Sequence, residues 1–387
     1  MQINKTINIL SDLVAFPCLG GESNLPIANY IEQIFKAHNL TYHLVPNDRG
    51  NKTSIHCRIG PAVDGGVILS GHTDVVPTKG QPWTRPDFQL TQEGEKLFAR
   101  GSTDMKGFIA CCLSLLPEMI KADLKKPIYL AFSYDEEVVC LGGPDLVKAI
   151  NTSYREKPAY AIIGEPTNMK TVTGEKGIGA FTTKIVSSAA HSALVRSNVS
   201  AITEATYLIK WLSAKMELLI KKGHIDKRFD PPHTTIHVGT IKGGTAVNII
   251  ADYCEFEWDV RNIPTDNIEA IVEDFRKYCQ YRIREKQKIN PHFNIETLSS
   301  FPIVPSLNTP NDTQFVQLVN QLNGTINPTT VAFASEAGQY AEGGFESILC
   351  GPGDILRAHR ADEYIEVSEL QDCLDFLKRL IVKINYW

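Results

Sequence analysis

The chain has 387 residues, 43% hydrophobic and 21% charged, with a formal net charge of -5. That length favours two domains over one. The mild acidity, with no dense Lys/Arg block, speaks against nucleic-acid and anionic-membrane partners. No apolar run approaches the roughly 20 residues of a membrane span, and Met1-Gln2-Ile3-Asn4-Lys5 lacks the basic, apolar, small-residue order of a secretion signal. Nine cysteines lie scattered, mostly inside apolar segments and without a Cys-x-x-Cys pair, as buried thiols of a reduced cytoplasmic protein would. Cys111-Cys112 falls within a helical apolar pattern and reads as core.

From the N-terminus to about Lys176, helices alternate with short strands that are apolar throughout, at 67–69, 128–132 and 160–163. Strands without in-out alternation belong in a mostly parallel sheet covered by helices. From Phe181 the pattern changes to strand 181–186, helix 201–221, strands 234–241 and 248–260, helix 267–284 and strand 293–298. A βαββαβ order marks a ferredoxin-like α+β unit. After about Ser300 the earlier style returns, with a helix at 316–322, a strand at 347–350 and an amphipathic helix at 370–384. The expected fold is α/β: one domain with a mostly parallel sheet (1–178 and 293–387), interrupted by a ferredoxin-like insert (179–292).

Chemistry-bearing residues gather where the buried strands end. SGHTDVVP (70–77) places His72 and Asp74 at the carboxyl end of a strand, where open α/β sheets hold their ligands. ARGSTDMKGF (99–108) puts Asp104 just before an apolar run that reads as a helix start, so a helix-cap role competes with a metal-ligand role. Strand 128–134 ends in Asp135-Glu136-Glu137, adjacent acids that repel one another and that folding does not call for. A solvated acidic turn is the plain alternative. Ile162-Ile163-Gly164-Glu165 repeats the arrangement, and His359 lies in a loop after Cys350-Gly351-Pro352-Gly353.

Each motif alone has a structural explanation. Together, His72, Asp104, Glu137, Glu165 and His359 are imidazoles and carboxylates that one sheet can bring together, a set suited to two divalent ions bridged by a carboxylate and a water. Among the ten histidines only 72 and 359 combine this setting with neighbouring Gly or Pro turns. His38, His43, His56, His224, His233, His237 and His292 read as structural or surface residues.

These segments, with LAFSYDEEV, IIGEPTNM, VTGEKGIGAF, AHSAL, FDPPHTTIHVGTIKGGTAVNI, DVR and CGPGDILRAHRADEYI, run over nearly the whole chain. In that order they resemble the M20 family of dinuclear zinc hydrolases. Within it, FDPP…GTIKGGTAVN and SEAG…CGPG…AHRADEY look closer to the acetylornithine deacetylase branch than to the desuccinylase branch. The resemblance implies a zinc-exopeptidase-like catalytic domain and a lid/dimerisation domain. It implies His72 and Glu165 on one metal, Glu137 and His359 on the other, and Asp104 bridging them. Asp74 would orient the His72 ring from behind. Glu136 would be the general base that takes a proton from the attacking water and returns it to the leaving amine.

The same resemblance makes His191 a lid histidine that reaches the partner subunit's active site and stabilises the oxyanion, so a homodimer is implied. Asn248 and Arg261 would bind the substrate α-carboxylate, a task that suits the paired donors of arginine. Glu336 would help select a distal ammonium. The implied cofactor is a pair of divalent ions, zinc first, with cobalt or manganese also suited to His/carboxylate donors. The implied partner is a small N-acyl amino acid, and the reaction is hydrolysis of N2-acetyl-L-ornithine to ornithine and acetate. A succinyl-diaminopimelate desuccinylase, a broader acylamino-acid hydrolase or peptidase, and a non-catalytic binding paralogue are the alternatives. Three departures stand out: Val195-Arg196-Ser197-Asn198 replaces the Pro and Gly of the lid turn, Val139 stands where relatives favour Gly, and Pro86-Asp87 reverses the usual order.

Overall fold

Parallel strands Ile128–Ser133, Val67–His72, Tyr160–Pro166 and Glu346–Gly351 lie side by side at the centre of a nine-stranded sheet in the computed structural model, which describes residues 2–386. Antiparallel strands flank them. Val67–His72 and Ile128–Ser133 are buried at every position, as strands covered on both faces must be. Their side chains share one apolar core with Phe108 and Cys112 of helix Gly107–Ser114 and with Leu374 and Leu377 of helix Val367–Lys383. The helix at 107–114 approaches so closely that a Cβ on Gly164 would lie 2.1 Å from the Phe108 ring.

Register decides where the strands stop. His72 pairs with Ser133, Ser70 with Ile163, and Leu349 with Ile163, so the carboxyl ends finish at one level. Residues just beyond those ends converge on the same edge of the sheet. The protein has the α/β fold with a mixed, mostly parallel central sheet.

The chain divides into two compact units. One comprises 1–174, 307–330 and 335–387; the other comprises 175–306 and 331–334. The second has its own core, built on Phe181, Phe256, Trp258 and Phe275. Its sheet orders the strands Thr235–Gly243, Tyr253–Asn262, Gly177–Val186 and Asn294–Ser299, all antiparallel. With helices Ala201–Lys221 and Ile268–Gln287 in between, the spatial order is second, third, first, fourth, which is the ferredoxin-like arrangement. The expected boundary at 292 falls short: Asn294–Ser299 pairs with Gly177–Val186, so the unit runs on through Ser306.

The strand expected at 248–260 is two strands. Ile249–Ile250 pairs with Ala190–His191, and only Tyr253–Asn262 joins the main sheet. The carbonyls of Ala251 and Asp252 at the break accept from the Ala201 and Ser187 amides, which lets the chain change partners. No helix of the described residues is long and apolar enough to cross a membrane. All nine cysteines are buried thiols outside any disulfide, Cys111 and Cys112 among them.

Candidate metal centre

His72 ends its strand with a ring that is 1% exposed. Its Nδ1 lies 2.9 Å from the carbonyl oxygen of Asp74. A carbonyl only accepts, so Nδ1 carries the proton and Nε2 faces the acids. Nε2 is 3.1 Å from Asp104 Oδ1 and 3.9 Å from both Glu136 and Glu165. The other oxygen of Asp104 lies 3.3 Å from His359 Nε2, and Glu137 Oε2 lies 3.0 Å from that same nitrogen. Asp104 therefore spans the two imidazoles, one oxygen to each. His72 with Glu136 and Glu165, and His72 with Asp104 and Glu137, form groups whose donor atoms all lie within 4.8 Å of one another.

The electrostatics match that crowding. Burial opposes charge on His72, yet the hydrogen bond to Asp104 and the nearby Glu136 and Glu165 hold its pKa well above normal. Hydrogen bonds to Asp104 and Glu137 push His359 up to about 10. Burial, together with Glu165, Glu137 and Asp104, drives Glu136 well above the carboxylate range against the pull of His72. Burial and Asp104 raise Glu137. Asp104 resists burial and is held low by the two imidazoles. Two imidazoles and several carboxylates gathered this closely form a donor set that accepts hard or borderline divalent ions.

Two acids of this region act differently from expectation. The Asp74 carboxylate stands 3.7 Å from the His72 ring, which is bonded to the Asp74 carbonyl instead. Its oxygens accept the backbone N–H groups of Glu136 and Glu137, each at 3.1 Å, so Asp74 fixes the acidic loop. Asp135 has a folding role after all: it pairs with the buried Lys52 and accepts from the Gly21 amide at 2.8 Å. Glu136 and Glu137 are left for the centre.

Asp104 is no helix cap. The turn Ser102–Lys106 before the helix is wide, with Asp104 at φ -121°, ψ 94°. Its amide and that of Thr103 are taken by Glu363 Oε1. Val139 has φ +68°, a left-handed backbone that glycine adopts freely and a β-branched residue does not. A glycine at this position would carry no such cost.

Glu336 is 1% exposed at the start of helix Ala337–Glu342, and burial pushes its pKa up to about 7. It faces the interior, not solvent.

The remaining predicted residues belong to the second unit. His191 is exposed and pairs with Ile249. Its Nδ1 accepts the Ala193 N–H at 3.1 Å, so the neutral ring carries its proton on Nε2. Asn248 is exposed beside it, its carbonyl accepting from the Ser192 amide at 3.0 Å. Arg261 lies on strand Tyr253–Asn262 with its side chain 41% exposed and Nε 3.4 Å from Asp259. The turn without Pro and Gly is closed by Asn198 Nδ2 and the Ser197 amide, both donating to the Leu194 carbonyl.

The family model of peptidase family M20/M25/M40 matches residues 68–383. The chain belongs to this family. As an M20 protein it is a metallohydrolase, and the imidazole and carboxylate cluster suits divalent metal. It is 31% identical over 379 residues to an acetylornithine deacetylase of Myxococcus xanthus, across 96% of this chain and 95% of that one. It is 27% identical over 399 residues to an acetylornithine deacetylase of Buchnera aphidicola, across 100% and 99%. Among solved structures, an M20 family metallo-carboxypeptidase from Sulfolobus solfataricus matches with a TM-score of 0.75 at 18% identity, covering 99% of this chain and 100% of that one. A dinuclear metal-binding M20 peptidase from Bacillus subtilis matches at 0.68 and 16%, covering 100% and 99%. At those identities the structures establish the shared fold alone.

Proposed function

We propose that this M20 chain hydrolyses N2-acetyl-L-ornithine to L-ornithine and acetate, in arginine synthesis, with two divalent ions, zinc foremost. The observation that carries the reading is Asp104 set between His72 and His359, with Glu136 beside them at 3.9 Å from His72. His72 and Glu165 would hold one ion, Glu137 and His359 the other, and Asp104 both. Ions in that position supply Lewis acidity and bring a water within reach of deprotonation near neutral pH. Glu136, its side chain 11% exposed and its pKa raised, would take the proton of the attacking water and deliver it to the departing amine.

His191, with its proton on Nε2, would donate to the oxyanion in the site of the partner subunit of a homodimer. Asn248 and Arg261 would bind the α-carboxylate. The substrate reading is supported by relatives named acetylornithine deacetylase at about 30% identity over nearly the full chain. Nine buried thiols outside any disulfide suit a reducing cytoplasm.

The test is a side-by-side assay of metal-loaded protein on acetylornithine, succinyl-diaminopimelate and acetylmethionine, with and without chelator. Ornithine release that chelator abolishes is expected. Cleavage of succinyl-diaminopimelate without ornithine release would overturn the substrate.

A further inference from the structure

Strand register fixes His72 and Glu165, but Asp104 and His359 come from loops. Asp104 sits in a non-helical turn, and the His359 side chain is 53% exposed on a residue with φ +59°. Behind these two donors lies a polar network centred on the buried pair of Arg100 and Glu363. Arg100 is 1% exposed, and its guanidinium donates to Glu363 Oε2 at 2.7 Å, to Gln81 Oε1 at 2.6 Å and to the Arg360 carbonyl at 3.2 Å. Glu363, also 1% exposed, turns its other oxygen to the amides of Thr103 and Asp104 at 2.9 and 3.1 Å. Gln81 donates through Nε2 to the His359 carbonyl at 2.9 Å. Trp83 holds Gln81 in place, its Nε1 donating to Gln81 Oε1 at 3.1 Å, while its ring lies 5.1 Å from the guanidinium.

We propose that Arg100, Glu363 and Gln81 are positioning residues for the Asp104 and His359 half of the metal centre. The inference rests on the dinuclear reading of that centre. A buried ion pair is costly to desolvate and is weak evidence of a stabilising role. Here both ends of the pair are directed at metal-ligand backbone. Glu363 holds the peptide that carries the bridging carboxylate, and Gln81 relays the guanidinium to the residue that carries the second imidazole. The planar fork of arginine meets Glu363, Gln81 and the Arg360 carbonyl together, which a lysine ammonium on a flexible stem does not reproduce. Residues 81, 100 and 363 thus convert two unregistered loops into one rigid half-site.

Partners behind metal ligands typically account for about 10- to 100-fold in metal affinity. The experiment strips the purified protein of metal and titrates it with Zn²⁺ by calorimetry, with Co²⁺ absorption as a spectroscopic readout. Gln81→Ala removes both arms of the relay at a partly exposed site, and Gln81→Glu keeps the acceptor for Arg100 while losing the donor to His359. Wild type is expected to take two ions per chain. Gln81→Ala should bind the ion of Glu137 and His359 about 10- to 100-fold more weakly, and the ion of His72 and Glu165, which meets the network only through Asp104, should weaken by a clearly smaller factor. Gln81→Glu should weaken chiefly the ion of Glu137 and His359, and Arg100→Lys should fall between wild type and Gln81→Ala. Equal weakening of both ions, or of neither, overturns the proposal. A wild-type protein that takes fewer than two ions overturns the dinuclear reading instead.

Discussion

In the first unit, strands buried on both faces end in an acid and an imidazole that solvent barely reaches, with His72 at 1% and Glu165 at 4% exposure. In the second unit the strand Gly177–Val186 alternates buried and half-buried positions, and His191 and Asn248 lie at the surface. The difference arises from the work each sheet must do. A doubly covered sheet can hold several charges away from water only if they answer one another, so its functional groups are locked in place. His191 and Asn248 lie outside the second unit's main sheet, on the short Ala190–His191 ladder and the residue before Ile249, where they are unconfined and of little weight in folding. Substitutions at the exposed groups of the second unit should therefore change chemistry without changing stability, whereas those in the first should touch both.

The largest effect expected is on turnover. Glu136→Gln should lower kcat by about 10²- to 10⁴-fold with both ions retained, while His191→Ala should cost about 10²- to 10³-fold with an unchanged urea midpoint. Turnover unchanged in Glu136→Gln would remove the base role, and a shifted midpoint in His191→Ala would blur the contrast between the units.

Next in size is the response of metal binding to pH. Hydrogen bonds to Asp104 and Glu137 raise His359 from 6.5 to about 10, so its proton stabilises the metal-free fold below about 6.5 and that contribution fades as pH rises through about 10. Metal needs the neutral ring, so affinity should move the other way, strengthening by up to about tenfold per pH unit below that value with release of a proton. Calorimetry in buffers of different ionisation heat measures the proton; affinity flat across neutral pH would contradict the assignment of His359.

The smallest effects are on stability. Gly164→Ala drives a methyl into the Phe108 ring at 2.1 Å and should cost about 1–3 kcal/mol. Val139→Gly relieves a left-handed backbone and should gain about 0.5–1 kcal/mol, after the entropy of the added glycine is offset. Chemical denaturation of the metal-free forms resolves both signs. A stabilising Gly164→Ala would mean that the helix at 107–114 has room to move.

The donors are legible because parallel strands of equal register bring the residues beyond their carboxyl ends to one place. His72, Glu137 and Glu165 each lie close enough to the end of an apolar run for that rule to reach them. Asp74 is less so: its motif position suggests a carboxylate behind the ring, but the carbonyl two residues on from His72 is nearer to Nδ1. Asp135 reads in sequence as surplus acid alongside its neighbours because its partner, Lys52, lies 83 residues away. The burial of Glu336 and the pairing of Arg100 with Glu363 across 263 positions have the same character. Neither leaves a periodic trace, since each depends on which loops are packed together. The strand broken after Ile250 shows the limit from the other side: apolar residues continue across a bend that only a change of partner strand explains.

By itself, the order of apolar runs and the residues that close them determined the α/β class, the ferredoxin-like second sheet and the identity of the converging donors. Hydrophobic patterning and strand ends are local properties, carried in contiguous residues. Only the tertiary structure decided which carboxylate joins the two imidazoles, which faces an amide and which is buried behind them. Those choices turn on distances of a few ångströms between segments far apart in the chain.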